Sequence, residues 1–292
     1  CGGADVPTIR AHAKINLGLE ILRRRDEGFH EIRSVFARLD LHDSLTFRPA
    51  GELGIRWPPG MLTPANDLVR RAASLLRQAT GTTLGARITL VKSIPVTGGL
   101  GGGSSDAAAT LFALNQLWQT GLTLEQLSEL GSRLGSDVPF FFTSAPALVS
   151  GRGEIVEPIE AQLRSWVVLV SPEWELPEKT ARLYGALKPD DFSDGNQTNR
   201  IVEAIQSGSL ERIDLPNTFE RIIDSVFPCW SETRKRLEDA ARTRFWLTGA
   251  GPGLFALLPT EDAAQQAFSA IQTLAIPARV TRLAAGKLRM DP

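Results

Sequence analysis

Apolar and polar residues alternate strictly near the start of the chain. Ile15, Leu17, Leu19 and Ile21 are separated by Lys14, Asn16, Gly18 and Glu20, so the spacing predicts a strand over Ala13–Leu22 with one row of each kind. A polar loop, Arg23 to Gly28, follows. Further strands are predicted near Ile32–Leu39 and Ser44–Arg48, and 50–64, rich in Gly and Pro, reads as irregular. The period then lengthens. Leu68, Ala72, Leu75, Leu76 and Ala79 fit one helical face, with Asn66 as its cap and Gly81 as its stop. A strand around Ile88 and Leu90 runs into a glycine-rich segment. Beyond it Ala107, Leu111, Leu114 and Trp118 mark a second helix. Thr123 and Gln126 form a capping box for a third, ending near Gly135, and Asp137 lies on the turn before Pro139-Phe140-Phe141-Phe142.

The second half has a different rhythm. Trp166–Val170 is a continuous apolar strand, followed by helical segments near Glu178–Leu187, Asn196–Ser207 and Phe219–Ala241. Strands at Phe245–Leu247 and Leu254–Leu258 flank the turn Thr248-Gly-Ala-Gly-Pro-Gly253. A helix from Thr260 to about Leu274 and a strand at Ala278–Leu283 complete a β-α-β-β-α-β order, the ferredoxin-like arrangement. The expected class is α+β, with a boundary near Pro158–Ser165 that divides the chain into 1–160 and 161–292.

The segment Pro95-Val96-Thr97-Gly98-Gly99-Leu100-Gly101-Gly102-Gly103-Ser104-Ser105 carries the strongest chemical signal. Five glycines between a strand and a helix suit a backbone that approaches another group with no Cβ in the way. The helix start adds unpaired N–H groups and a positive dipole end, which suit a phosphate. The segment lacks the lysine of Gly-x-x-x-x-Gly-Lys-Ser/Thr. It also lacks the third glycine and the later acidic residue of the dinucleotide fingerprint. It therefore points to a third kind of phosphate loop. Ser104 and Ser105 could cap the helix or bind phosphate or Mg²⁺, capping being the default.

Lys14 is a candidate for the missing cation, against the ordinary reading of a strand lysine that points to solvent or blunts an edge. Asn16 shares its row, and Lys92 is a rival donor to phosphate. Asp137 is either a turn residue or, walled by the phenylalanines after it, a carboxylate suited to accept a proton. Phe29-His30 offers a stacking face and an edge hydrogen bond, with buried packing an equal alternative. The Thr248–Gly253 turn could be a simple hairpin connection, or could close the phosphate site from the second half.

Bulk properties narrow the field. Lys+Arg 32 against Asp+Glu 33 argues against a broad nucleic-acid surface. The two cysteines, Cys1 and Cys229, imply neither a disulfide framework nor a zinc cluster, and His12, His30 and His42 match no metal motif in spacing. No apolar run approaches a membrane span, so a cytoplasmic protein without membrane partners is expected.

Taken together, these segments resemble the GHMP kinase superfamily, which includes galactokinase and the homoserine, mevalonate and phosphomevalonate kinases. Pro95–Ala108 is similar to its phosphate loop and Leu247–Gly253 to its C-terminal glycine motif. Ala13-Lys-Ile-Asn-Leu17, Asp26-Glu-Gly-Phe-His30, Leu39-Asp-Leu-His-Asp43, Leu134-Gly-Ser-Asp-Val-Pro-Phe140 and Gly151-Arg-Gly-Glu154 resemble the branch whose substrate is a cytidine diphosphate ester of methylerythritol. The resemblance implies a two-domain fold, with an N-terminal α/β nucleotide-binding domain and a C-terminal ferredoxin-like domain. It implies ATP, with Mg²⁺, as phosphoryl donor to the substrate 2-hydroxyl in the non-mevalonate route to isoprenoids. Asp137 would be the catalytic base and Lys14 its partner. Pro95 to Ser105 would bind the ATP phosphates, with Asn66 and Lys92 on the nucleoside side. Phe29, His30 and Tyr184 would hold the cytosine, with Asn16 nearby. No metal ligand is assigned firmly; Ser105 is the candidate. The partners implied are small molecules, with the chain a monomer or homodimer. Phe29, Ala250 and Thr218 depart from the branch's usual Tyr, Ser and Asp. Another small-molecule kinase of the superfamily and a non-catalytic ATP-binding protein are the alternatives.

Overall fold

Two long antiparallel strands form the frame of the molecule, β1 (Thr8–Arg24) and β2 (His30–Ala50). The computed structural model describes residues 8–59, 67–96, 98–174, 176–286 and 288–291. Both strands run further than their alternation predicts, and the break expected between Ile32–Leu39 and Ser44–Arg48 is absent. Asp40, His42 and Asp43 stay in strand, with His42 and Asp43 paired to His12 and Ala11.

The polar row of β1 does not face water. Lys14, Asn16 and Glu20 are as buried as the apolar residues between them. Register shifts between His12 and Lys14 and between Asn16 and Leu19 explain how one strand stays apolar on changing sides. Ile9 and Ala11 join one core with Phe47, Leu76 and Leu111. Ala13, Ile15 and Leu17 join a second with Val35, Leu169 and Ile201. Leu19 and Ile21 join a third with Phe219, Trp230 and Leu254. Each shift hands the strand to a new core.

β3 (Leu53–Arg56) occupies part of the segment expected to be irregular and pairs in parallel with β4 (Gly85–Val91), which lies against β2. A hairpin of β5 (Ala147–Ser150) and β6 (Ile155–Pro158), too short to show in the apolar pattern, adds to the other end of β2. α1 (Leu68–Thr80) stops at Gly81, in the left-handed conformation as expected, but starts differently. Asp67 is its cap and accepts from the Arg70 N–H at 3.0 Å. Asn66 lies outside the described residues. α2 (Gly102–Leu117) begins two residues before the serines, so they sit inside its first turn and neither caps it; Gly101, at φ 70°, is the cap. The Thr123–Gln126 capping box of α3 (Leu124–Ser132) forms as predicted.

The second half supplies β7 (Trp166–Val170), α4 (Lys179–Ala186), α5 (Asn196–Gln206), α6 (Trp230–Ala241), β8 (Trp246–Leu247), β9 (Leu254–Leu258), α7 (Glu261–Ile271) and β10 (Ala278–Ala284). The strand order β10–β7–β9–β8, with every pair antiparallel, is the predicted split β-α-β arrangement. The helix expected over Phe219–Ala241 is interrupted. Two 3₁₀ turns cover Thr218–Arg221 and Ile223–Ser225, and α6 begins only after Pro228, which lacks the N–H a continuous helix would need. β10 also pairs with β2 through Leu283–Leu39 and Ala284–Arg38, so one sheet crosses the molecule; β11 (Met290–Asp291) pairs with the start of β1.

Candidate active site

Lys14 is held by a chain of polar contacts that begins in its own strand. Its ammonium donates to Asn16 Oδ1 at 2.8 Å, the Asn16 amide donates to Ser34 Oγ at 2.9 Å, and Ser34 donates to Gly18 O at 2.6 Å. The lysine donor fixes which end of the Asn16 amide is oxygen. A carboxylate completes the cation's surroundings: Asp137 Oδ2 lies 3.3 Å from Lys14 Nζ. The Phe36 ring lies 4.4 Å from the ammonium, centroid to nitrogen. Lys14 is almost fully buried, whereas the Asp137 side chain keeps a third of its surface exposed. A buried ammonium is tolerable only with such partners, and the open side of the pair is the carboxylate side.

The turn bearing Asp137 is anchored from behind. Phe140, Phe141 and Phe142 are buried in the first core rather than forming an apolar wall around the carboxylate, so the group facing Asp137 is a cation. The Arg38 guanidinium, itself buried, donates to the carbonyls of Phe141 and Thr143 and fixes that segment on β2.

The glycine loop approaches this pair from one side. The Lys14 N–H donates to Leu100 O at 2.9 Å. A Cβ on Gly101 would lie 2.9 Å from Lys14 Cγ and 3.2 Å from the Phe141 ring, so the close approach requires glycine there. The Thr248–Gly253 turn approaches from the other. A Cβ on Gly249 would lie 3.2 Å from Gly99 O and 3.4 Å from Asn16 Oδ1. Thr248 Oγ1 accepts from the Asn16 N–H at 3.0 Å, and Asn217 donates to Gly249 O at 2.9 Å. The turn is therefore more than a hairpin link; it packs on the loop and on the lysine's support.

Two cavities meet at these loops. The larger, about 940 Å³, is lined by Lys14, Asn16, Phe29, His30, Asp137 and Tyr184, with Gly99, Gly101 and Lys179. His30 and Tyr184 face each other with ring centroids 4.8 Å apart and planes at 30°. Phe29 is half exposed, with the Arg152 guanidinium 5.1 Å from its ring centroid. Burial lowers the pKa of His30, and burial with the Asp137 charge raises that of Tyr184. The smaller cavity, about 340 Å³, is lined by Pro95, Val96, Gly99, Leu100, Gly101, Gly102, Gly103, Ser104 and Lys92, with Trp57 and Leu68. Gly98 is buried behind it and Ser105 is fully buried. Thr97, like Asn66, lies outside the described residues.

Lys92 is not simply offered to a ligand. Its ammonium donates to Asp43 at 2.5 Å and to Asp106 at 2.8 Å. Burial alone would lower its pKa, but the two carboxylates outweigh burial and raise it. Asp43 also accepts from the Ser93 and Ile94 N–H groups, which fixes the entry to the glycine loop. Two buried oxygens beside this cluster, Ser105 Oγ and Asp106 Oδ1, make no hydrogen bond among the described residues.

Sequence reasoning gave Arg152 no role of its own, although Gly151-Arg-Gly-Glu154 carries part of the resemblance, and it missed Lys179. A lone basic residue at a helix start carries no periodic signal, and only the packing of the second half on the loops brings Lys179 to the cavities. Distance in sequence also hid a pairing: ligand-type atoms of His12, Asp40 and His42 lie within 4.8 Å of one another, because His12 and His42 are cross-strand partners. This cluster is flanked by cations. Asp40 is paired with Arg282 at 3.2 Å, and neither histidine lines either cavity.

Residues 67–145 match the model of the GHMP kinases N terminal domain. A 4-diphosphocytidyl-2-C-methyl-D-erythritol kinase of Dehalococcoides mccartyi is 41% identical over 262 residues, 89% of this chain and 92% of that protein. The kinase of the same name from Symbiobacterium thermophilum is 39% identical over 94% of this chain and 98% of its own length. The crystal structure of a 4-(cytidine 5'-diphospho)-2C-methyl-D-erythritol kinase superposes with TM-score 0.81 at 34% identity, covering 96% of this chain and all of that one. The fold extends to the homoserine kinase of Cytophaga hutchinsonii, at 17% identity and TM-score 0.74 over the full length of this chain and 99% of that one. The chain belongs to the 4-diphosphocytidyl-2-C-methyl-D-erythritol kinase family of the GHMP kinases.

Proposed function

We propose that this chain transfers the terminal phosphoryl group of ATP to the 2-hydroxyl of 4-diphosphocytidyl-2-C-methyl-D-erythritol, giving the 2-phosphate and ADP in the non-mevalonate route to isoprenoids. The observation that carries the reading is the Lys14–Asp137 pair, which opens into a cavity large enough for a nucleotide-sized substrate at the point where a glycine-loop cavity joins it.

Asp137 accepts the hydroxyl proton as the new O–P bond forms and the bond to ADP breaks. Lys14, held at 3.3 Å by Asp137 and at 2.8 Å by Asn16, orients the attacking oxygen and stabilises charge that develops on it. The Pro95–Ser105 loop, with the dipole of α2, cradles the ATP phosphates through its N–H groups, except Pro95, which has none, and Ser105, whose N–H is donated to Gly101 O. We assign Asn66, which lies outside the described residues, and Lys92 to the nucleoside side, Lys92 through its control of the loop entry rather than as an unpaired cation. Phe29, His30 and Tyr184 grip the cytosine by stacking and edge hydrogen bonds, and Asn16 supports the reacting end. Mg²⁺ would be held beside the loop by Asp106, whose Oδ1 is a hard oxygen donor without another partner among the described residues and which lines the smaller cavity; Ser105 Oγ, also without a partner there, is fully buried and lines neither cavity. When bound with ATP, Mg²⁺ neutralises phosphate charge. The work is divided between segments 1–160 and 161–292, the second adding the closing turn and Tyr184.

The test is turnover of ATP with the cytidyl substrate, mevalonate and homoserine offered separately. A kcat/KM that does not favour the cytidyl compound would remove this acceptor from the reading.

A further inference from the structure

Lys179, the first residue of α4, lines both cavities, and among the described residues it shares that position only with Gly99 and Gly101. It is mostly shielded from water, and its ammonium donates to Gly251 O at 2.5 Å. That carbonyl lies beside the glycine loop, since a Cβ on Gly99 would sit 3.6 Å from it. The ammonium is thus fixed where the closing turn meets the phosphate loop, on the boundary between the donor and acceptor cavities. The loop itself carries no lysine, and of the lysines beside it Lys14 and Lys92 line one cavity each whereas Lys179 reaches both. Lys14 is bound to Asp137 and Asn16, Lys92 to Asp43 and Asp106.

We propose that Lys179 contacts the phosphoryl group in transfer, supplying from the second half of the chain the cation that the glycine loop lacks. The proposal rests on the kinase reading above. As the bond to ADP breaks and the bond to the acceptor oxygen forms, negative charge is spread over the oxygens of the moving group. A preorganised cation at the junction of the two cavities meets that charge without reorganising, and it is worth most in a site shielded from water. Burial, with the charge of Lys14 nearby, lowers the pKa of Lys179 to about 8, and an anion beside the ammonium would raise it again. The close hydrogen bond to Gly251 O gives a competing role, in which Lys179 only anchors the turn.

Three variants separate these roles. K179Q keeps a donor for Gly251 O without the charge, K179R keeps the charge, and K179M removes both. Each is measured with ATP and the cytidyl substrate, together with its Tm and its affinity for CDP as a probe of the cytosine grip. We expect kcat to fall about 10²-fold in K179Q and K179M, with CDP affinity and Tm held in K179Q and partial recovery in K179R. Wild-type kcat in K179Q would assign the residue to anchoring and overturn the proposal. So would a raised KM for the cytidyl substrate with kcat retained, because the ammonium would then bind the substrate's own diphosphate. Should the wild-type protein fail to phosphorylate the cytidyl compound, the acceptor reading falls separately. The same variants are then compared in hydrolysis of ATP by water, where an unchanged K179Q rate overturns the inference and a loss of about 10²-fold sustains it.

Discussion

Lys14 Nζ and Asp137 Oδ2 lie 3.3 Å apart although 123 positions separate them in the chain; both line the larger cavity, and the carboxylate is the more exposed of the two. An attacking hydroxyl therefore meets Asp137 first, with the ammonium behind it. Asp137→Asn should lower kcat by about 10²–10⁴-fold while ATP still binds, since general-base assistance is of that size. Single-turnover kinetics alongside ATP-analogue titration checks this, and a variant with undiminished kcat would remove Asp137 from the chemistry. Lys14→Ala should lose turnover with folding retained; loss of folding instead would mark the pair as a stability device.

His30 packs against Tyr184 in the wall of the larger cavity, and neither residue lines the smaller cavity at the glycine loop. His30→Ala should raise KM for the cytidyl substrate by about 10-fold, the low end of what stacking contributes, and leave KM for ATP unchanged. Equal effects on both would show that the ring is packing rather than recognition.

Gly101 combines a left-handed backbone with no room for a Cβ. Gly101→Ala should cost about 1–2 kcal/mol in backbone strain and push the Lys14 stem aside. Denaturant unfolding should give that loss, and kcat should fall more than stability alone explains.

Removing Lys92 leaves Asp43 and Asp106 buried without their shared cation. Lys92→Met should destabilise the fold by about 3–5 kcal/mol, the range for one broken partner of a buried ion pair. A second change, Asp106→Asn, should restore part of the lost Tm by removing one orphaned charge.

His12 gives a stability prediction with a definite sign. Burial is the main cause that lowers its pKa from 6.5 to about 4, opposed by its hydrogen bond to Leu39 O. Between those values the unfolded chain binds more protons than the folded one, so stability rises with pH. The contribution is complete above pH 6.5 and lost as pH falls to about 4. His12→Asn should flatten Tm against pH across that window, and an unchanged slope would assign the acid sensitivity to other groups.

Much of this was legible in the chain. The glycine loop, the capping box of α3 and the order of the second-half strands each have a local cause, and each appears where its residues predict. What was misread depends on distant partners. The alternation in β1 predicts a wet polar row, yet Lys14, Asn16 and Glu20 are buried, because tertiary contacts supply Asp137, Ser34 and Thr198 as their partners. The phenylalanines after Asp137 are apolar as expected, but their rings pack into the core and leave a lysine to face the carboxylate. Local pattern likewise could not show Lys179, whose meaning comes from the closing turn laid over the loop. The short strands β3, β5 and β6 are four residues each, too brief for a period to declare itself.

The shifts of register in β1 bear on how such chains can be recombined. The third core, which holds Phe219, Trp230 and Leu254, is completed by Leu19, Ile21 and Ile32 from the first two strands. A chimaera that grafts 161–292 from one relative onto 1–160 of another must therefore match side-chain volumes along β1 and β2, not merely at a linker. Substitutions at Leu19, Ile21 and Ile32 are the ones to carry across with the graft. Modular exchange in this fold is governed by the frame rather than by the seam.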